Sequence, residues 1–204
     1  MTTNQAEFLS LIYANCILFA DDYGIKAVPA IVAQAIVESN WGESLLASKY
    51  HNYFGLKCGT SWRGKSVNLK TKEEYTVGTL TTIKDNFRVY SDMTNGVHGY
   101  FDFINTKRYT NLKDVTNPYT YIELIKADGY ATSSKYVSTC KKVLSEYVLP
   151  WIRNDETEYD IESIAREVIA GKWGNGRVRK EKLEAAGYNY KIIQKAVNDI
   201  LRSE

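Results

Sequence analysis

The chain has few of the residues from which metal and disulfide sites are built. Its 204 residues include two histidines, His51 and His98, and three cysteines, Cys16, Cys58 and Cys140. The cysteines are odd in number and form no CxxC pair, and neither histidine lies in an HExxH-like pattern, so neither a metal site nor a disulfide framework is expected. Nothing local pairs a Cys with a His as nucleophile and base. Charge of one sign is also lacking: 26 Lys and Arg against 24 Asp and Glu leave a formal net charge of +2. A phosphate-backbone binder concentrates positive charge on one face, so no nucleic-acid partner is expected. No apolar run approaches the ~18 residues of a membrane span, so no membrane insertion is expected either. The first ten residues, Met1 to Ser10, lack the basic-then-apolar layout of a signal peptide. The expectation is a chain made without its own export signal, or one from which the signal was removed.

What remains is ordinary globular material, 44% apolar and 25% charged, enough for a real core. The length suits one domain of about 150 residues and a small accessory. One excess stands out: 16 Tyr and 4 Trp against 6 Phe, with 13 of the tyrosines before residue 155. Amphipathic rings suit carbohydrate subsites and interfaces, and they pack equally well at the edge of a core.

Apolar spacing predicts a first helix over 6–23, with Gly24 as its cap, and a second from Val28-Pro29 to Ser39. Short Thr/Val/Tyr-rich runs follow at 67–69, 74–77, 79–83 and 87–90, and predict a small antiparallel hairpin with a further strand. Helical spacing returns over 93–105, 120–127 and 134–149 and stops at Pro150. The polar run 153–158 reads as a linker between a domain over 1–152 and a second over 159–204. The second contains three helical stripes, capped at Gly171 and Gly187 and closed by Tyr190 to Leu201. The fold class is mainly α (α+β): a helical domain with a β-hairpin lobe, then a three-helix bundle.

Glu38 is the residue on which the chemistry turns. It lies seven positions after Ile31 and three after Ala35, so it shares the apolar face of its helix. Burial and the negative end of the helix dipole both disfavour a carboxylate, and the expected result is a raised pKa. A carboxylic acid still protonated near neutral pH can protonate a glycosidic leaving oxygen. The bland alternative is a Glu that caps a loop or pairs with a Lys.

The run Ala33-Gln34-Ala35-Ile36-Val37-Glu38-Ser39-Asn40-Trp41-Gly42-Glu43-Ser44-Leu45-Leu46-Ala47, followed by Asn52-Tyr53-Phe54-Gly55-Leu56-Lys57, resembles glycoside hydrolase family 73. That family consists of lysozyme-like endo-β-N-acetylglucosaminidases of peptidoglycan. Phe87-Arg88-Val89-Tyr90 and Gly129-Tyr130-Ala131-Thr132 extend the likeness over most of residues 1–150. The resemblance implies a lysozyme-like catalytic domain, no cofactor, and Glu38 as general acid. It also implies a second carboxylate on the hairpin, with Glu74 preferred over its neighbour Glu73 for its spacing to Phe87. Because strand side chains alternate, only one of the two can face a cleft. Its role stays open between activating a water, acting as nucleophile and orienting the substrate's own 2-acetamido group. Tyr130 matches a tyrosine beside the scissile sugar, and Trp41, Asn52 and Phe54 either line the cleft or pack the loop. Ser133 replaces the family's usual Asp and can still cap the next helix.

Residues Ile164 to Gly176, with Arg179, Leu183, Ala185 to Tyr188 and Val197-Asn198, resemble the CW_7 cell-wall-binding repeat, which implies muropeptide binding. Trp173, Asn175 and Arg179 are its candidate contacts, with Trp173 serving either as a stacking ring or as a plug of the bundle. One copy binds weakly, so avidity would come from the linked domain or a weak homo-oligomer. The partners implied are peptidoglycan glycan strands and muropeptides. The expected activity is cleavage after N-acetylglucosamine by a phage endolysin, with an autolysin as the other source. A lytic transglycosylase, a muramidase or a non-catalytic wall-binding protein are the alternatives.

Overall fold

A computed structural model describes residues 1–186, 188 and 190–203, with the side chains of 154–160 and 203 left aside. The chain divides into two compact units, Met1–Leu149 and Pro150–Glu204. In the first, helix α1 (Thr3–Ala20) starts at a capping box in which Thr2 and Gln5 exchange hydrogen bonds of 2.9 and 3.2 Å. Helix α2 (Val28–Ser39) begins at Pro29, whose missing N–H is no loss in a first turn, and ends in left-handed Asn40. It is the centre of the unit, packed against α1, α5, α6 and the turn at 144–148, and nine of its twelve residues are buried. Helix α3 (Leu45–Tyr50) is capped by Ser44.

The hairpin lobe is two long strands, β1 (Ser66–Thr76) and β2 (Thr79–Arg88), paired antiparallel from Ser66↔Arg88 to Glu73↔Thr81, with an irregularity between Glu73 and Thr76. The four short runs of the sequence thus merge into one hairpin, because cross-strand pairing carries the polar positions between them. The expected further strand reduces to a single bridge, Lys57↔Phe87. Helices α4 (Met93–Ile104), α5 (Pro118–Ala127) and α6 (Tyr136–Val143) complete the unit, with a 3₁₀ segment at Lys107–Leu112 and a π turn at Leu144–Val148.

Two expectations need correction here. Pro150 does not end the helical run: α7 (Leu149–Ile169) contains it and also residues 153–158, expected as a linker. The π turn directly before it is the reason. Leu149 N–H reaches back to Leu144, and the wider turn relieves the clash that a proline ring makes with a preceding carbonyl.

The second unit packs α7, α8 (Gly176–Ala185) and α9 (Tyr190–Ser203) around Ile164, Ala165, Val168, Leu183, Ile193 and Val197. The cap expected at Gly187 lies outside the described residues. Among the described residues, no helix is long and apolar enough to cross a membrane.

Helix α4 sits close to the loop after α3: a Cβ on Gly96 would stand 2.0 Å from the His51 carbonyl oxygen. Gly96→Ala is therefore expected to push the two apart and lower stability by about 1–3 kcal/mol. Thermal unfolding reads this, and an unchanged melting temperature would contradict the packing described.

Candidate active site

A cleft of about 1140 Å³ separates the helical body of the first unit from the inner side of the hairpin. Glu38 lies in its wall, in the last turn of α2, half-buried. Its neighbours come from three directions. The backbone of Gly55 approaches so closely that a Cβ there would stand 3.2 Å from Glu38 Oε2, and Gly55 also has a φ of +64°. Only glycine meets both demands without strain. The Tyr136 hydroxyl of α6 lies beside the Glu38 carboxyl and favours its ionised form, and Glu73 faces it from β1. Burial, and after it the charge of Glu73, push the Glu38 pKa up to about 7, against an opposing pull from Tyr136.

The hairpin presents Glu73 to this cleft, not Glu74. Val67, Leu69, Thr71 and Glu73 alternate with more exposed residues and form the inner face of β1. The Glu73 carboxylate receives the Lys57 ammonium at 2.6 Å and the Thr132 hydroxyl at 2.7 Å. Lys57 also pairs with Asp85 at 3.1 Å. Burial alone would depress the Lys57 pKa, but its bonds to Glu73 and Asp85 and their charge outweigh that and hold it above the ordinary value.

Glu74 points elsewhere. Its oxygens accept from Ser134 N at 2.5 Å, Ser134 Oγ at 3.0 Å and Gly78 N at 2.6 Å, and these bonds hold its carboxyl below the usual range. It does not line the cleft. The side chain preferred by spacing ties the hairpin tip to the loop before α6, and its neighbour faces Glu38. The reason is the phase of the strand: Glu73 is in step with Val67 and Leu69.

Tyr130 and Phe54 line the cleft. The Tyr130 hydroxyl donates to the Phe54 carbonyl at 2.7 Å, and the Phe54 ring stacks on Tyr100 at 4.1 Å. Trp41 and Asn52 do not line it. Trp41 packs edge-on against Tyr147 at 5.3 Å. Asn52 is buried, donates to the Leu56 and Arg88 carbonyls and accepts from Leu56 N, each at 2.9 Å. It pins the loop that carries Gly55 and Lys57 to the start of the hairpin. Ser133 does not cap α6, whose N-cap is Lys135 without a side-chain bond; its Oγ accepts from Lys135 N at 3.3 Å in the turn that precedes the helix.

Sequence reasoning missed four contributors: Lys57, Thr132, Tyr136 and Gln34. Lys57 and Thr132 lie inside the quoted motifs, but their partner became visible only with the hairpin in place. Gln34 carried a readable signal, a polar residue one turn before Glu38 on an apolar helix face.

In the second unit, Trp173 packs on the bundle core and edge-on to Tyr188 at 5.9 Å, with its Nε1 donating to Glu167 at 3.0 Å. It also lines a depression of about 530 Å³ with Glu167, Lys172 and Lys182. Asn175 and Arg179 bond to each other at 3.1 Å, and Arg179 further donates to Gly174 and Gln194. They do not line that depression. Among the described residues no group of three or more His, Cys, Asp or Glu could hold a metal ion.

A helical body carrying one acid, and a two-stranded lobe carrying another across a cleft, is the lysozyme-like arrangement. The chain belongs to the glucosaminidase family: residues 14–149 match the family described as mannosyl-glycoprotein endo-beta-N-acetylglucosaminidase, and residues 162–201 match the CW_7 repeat. It is similar to the peptidoglycan hydrolase FlgJ of Pseudomonas aeruginosa, 32% identical over 142 residues, covering 67% of this chain and 35% of FlgJ. It is also similar to the exo-glucosaminidase LytG of Bacillus subtilis, 28% identical over 163 residues, covering 76% of this chain and 54% of LytG. The chain thus spans about a third to a half of the length of these relatives. Among solved structures, a peptidoglycan hydrolase mutant from Sphingomonas sp. A1 shares the fold, with a TM-score of 0.65, 24% identity, and coverage of 73% of this chain and 99% of that one.

The raised Glu38 pKa has a consequence for stability. An unfolded glutamate titrates near 4.5, the folded one near 7, so the folded state binds the proton more tightly. Stability from this group is present below the unfolded value and is lost as pH rises toward 7. Glu38→Gln removes the buried charge, so the variant is expected to melt higher than the parent at pH 8, with the gap narrowing at pH 5. Equal gaps at both pH values would contradict the shift.

Proposed function

We propose that this chain hydrolyses the β-1,4 bond that follows N-acetylglucosamine in peptidoglycan glycan strands, with Glu38 as general acid and Glu73 as the second carboxylate. The observation that carries the reading is the pair itself: an acid poised to hold its proton near neutral pH, facing a carboxylate held by Lys57 and Thr132 across one cleft. Glu38 gives its proton to the leaving glycosidic oxygen as the bond to the anomeric carbon breaks. Glu73 stabilises the positive charge that develops on that carbon. A water then adds to it, and its proton returns the acid to its starting state. Tyr130 borders the same space, and with its own proton given to Phe54 its oxygen is an acceptor for a substrate N–H.

The FlgJ and LytG relatives, named for peptidoglycan and glucosaminidase activity, support the substrate class. The CW_7 repeat supports a wall-binding role for the second unit, with Trp173 at the depression beside Lys172 and Lys182 as its contact. Weak binding there raises the local concentration of the linked catalytic unit at the wall.

Glu38→Gln and Glu73→Gln are each expected to lower kcat/KM on glycan fragments by about 10²–10⁴-fold, with Glu74→Gln remaining within about tenfold of the parent. Full activity in Glu73→Gln with loss in Glu74→Gln would reverse the assignment. Mass spectrometry of reduced digestion products from sacculi is expected to give N-acetylglucosamine at the reducing ends. Reducing N-acetylmuramic acid would make the chain a muramidase, as the name of a probable N-acetylmuramidase from Lactococcus lactis, 34% identical over 156 residues, would have it. Anhydro-muramic ends would make it a lytic transglycosylase.

A further inference from the structure

Behind Glu38 a file of hydrogen-bonded side chains runs through the core of the first unit. Gln34 is fully buried in α2, one turn before Glu38. A buried amide is tolerated when both of its ends are hydrogen-bonded, and here both are. Tyr100 of α4 donates its hydroxyl to Gln34 Oε1 at 2.7 Å, and Gln34 Nε2 donates to the Tyr136 hydroxyl oxygen at 2.7 Å. Tyr121 of α5 lies 3.0 Å from the Tyr100 oxygen. The one proton of Tyr100 is committed to Gln34, so Tyr121 is the donor in that pair. Tyr100 and Tyr121 are fully buried and Tyr136 is 5% exposed.

Each tyrosine has a single proton, which gives the file a direction. Because Tyr136 accepts from Gln34, its own proton is not committed there and is free to turn to the neighbouring Glu38 carboxyl, which shares the cleft wall with it. The other groups around Glu38 do not compete for that role. Glu73 on β1 is an acceptor held by Lys57 and Thr132. Tyr130, after α5, gives its proton to Phe54. Cys140 on α6 has its thiol pushed up to about 12 by burial and by Glu38, so near neutral pH it is a protonated thiol and only a weak acceptor beside the carboxyl. The backbone of Gly55 closes the remaining side.

We propose that Gln34 and Tyr136 are positioning residues for the acid: Gln34 orients the Tyr136 hydroxyl, and Tyr136 holds the Glu38 carboxyl in its cleft-facing position and stabilises its ionised form. Tyr100 and Tyr121 anchor the far end of the amide, so that it cannot flip without losing the Tyr100 bond. The inference rests on Glu38 as the acid of the proposed reaction. A bond that favours the ionised form opposes burial, and without it Glu38 keeps its proton to higher pH.

The test reads Glu38 directly, by ¹³C NMR titration of glutamate carboxyls, alongside the pH profile of kcat/KM. Tyr136→Phe is expected to raise the Glu38 titration and the alkaline limb of the profile together by about one pH unit, and to lower kcat about tenfold with KM within about twofold. Gln34→Met, which keeps the Tyr136 ring but removes its donor, is expected to move the titration the same way by less. It carries the test if Tyr136→Phe does not fold. Tyr121→Phe, at the far end, is expected to lower the melting temperature and leave the titration in place. Lower melting temperatures in Tyr136→Phe and Gln34→Met with an unmoved Glu38 titration would overturn the proposal and make the file mere core packing. Absence of hydrolysis by the parent chain would instead sink the proposed reaction, while the titration would still report on the relay.

Discussion

Glu38 shares helix α2 with nine buried side chains, and a carboxyl group in such company remains only if the surrounding fold supplies what water would have given it. Much of the first unit answers that demand. Gly55 brings backbone close to one oxygen, Tyr136 brings a hydroxyl, and the cleft leaves the group partly open. The match is incomplete: burial and the facing Glu73 outweigh the pull of the Tyr136 hydroxyl, and the residual imbalance is what lifts the pKa toward neutrality. The unit gives up stability above that pH in return for an acid that still holds a proton where an ordinary glutamate would have lost it.

The hairpin meets a different constraint with two adjacent glutamates. Glu73 belongs to the inner face of β1 and its charge is met by Lys57 and Thr132. Glu74, next to it, is bonded to Ser134 and Gly78. The irregularity that begins after Glu73 allows one stretch of strand to serve both ends. The short loop 132–134 accordingly receives both side chains, Thr132 taking Glu73 and Ser134 taking Glu74. The hairpin is thus fastened across the cleft by polar contacts at the position where Glu73 faces Glu38.

Much of this is legible in the amino-acid sequence. The limits of α2, from Val28-Pro29 to Ser39, follow from proline at the first turn and apolar spacing after it, and Glu38 on the inner face follows from its distance to Ile31 and Ala35. The preference for Glu74 failed because it rested on a count of residues to Phe87, whereas the side that a strand residue faces depends on its phase with Val67 and Leu69. Pro150 misled for a related reason: a proline stops an α-helix, but the π turn at Leu144–Val148 has no signature in spacing alone. Asn52 and Trp41 belong to the matched motif as fasteners of the loop and helix end, a role that motif membership cannot separate from sugar contact. Part of the tyrosine excess is internal: Tyr53, Tyr100, Tyr109, Tyr121 and Tyr136 are buried, and most of the other described tyrosines are half-buried.

In the second unit Trp173 packs against the bundle core and also lines a surface depression. The first unit bears the central claim, that Glu38 and Glu73 are the acid and its opposing carboxylate. A crystal structure of Glu38→Gln soaked with a peptidoglycan glycan fragment tests it most directly. The expected result is the scissile glycosidic oxygen within hydrogen-bond distance of residue 38, with the Glu73 carboxylate on the anomeric-carbon side of the same sugar. A fragment bound in the cleft with Glu74 at that carbon, or with residue 38 away from the linkage, would contradict the account.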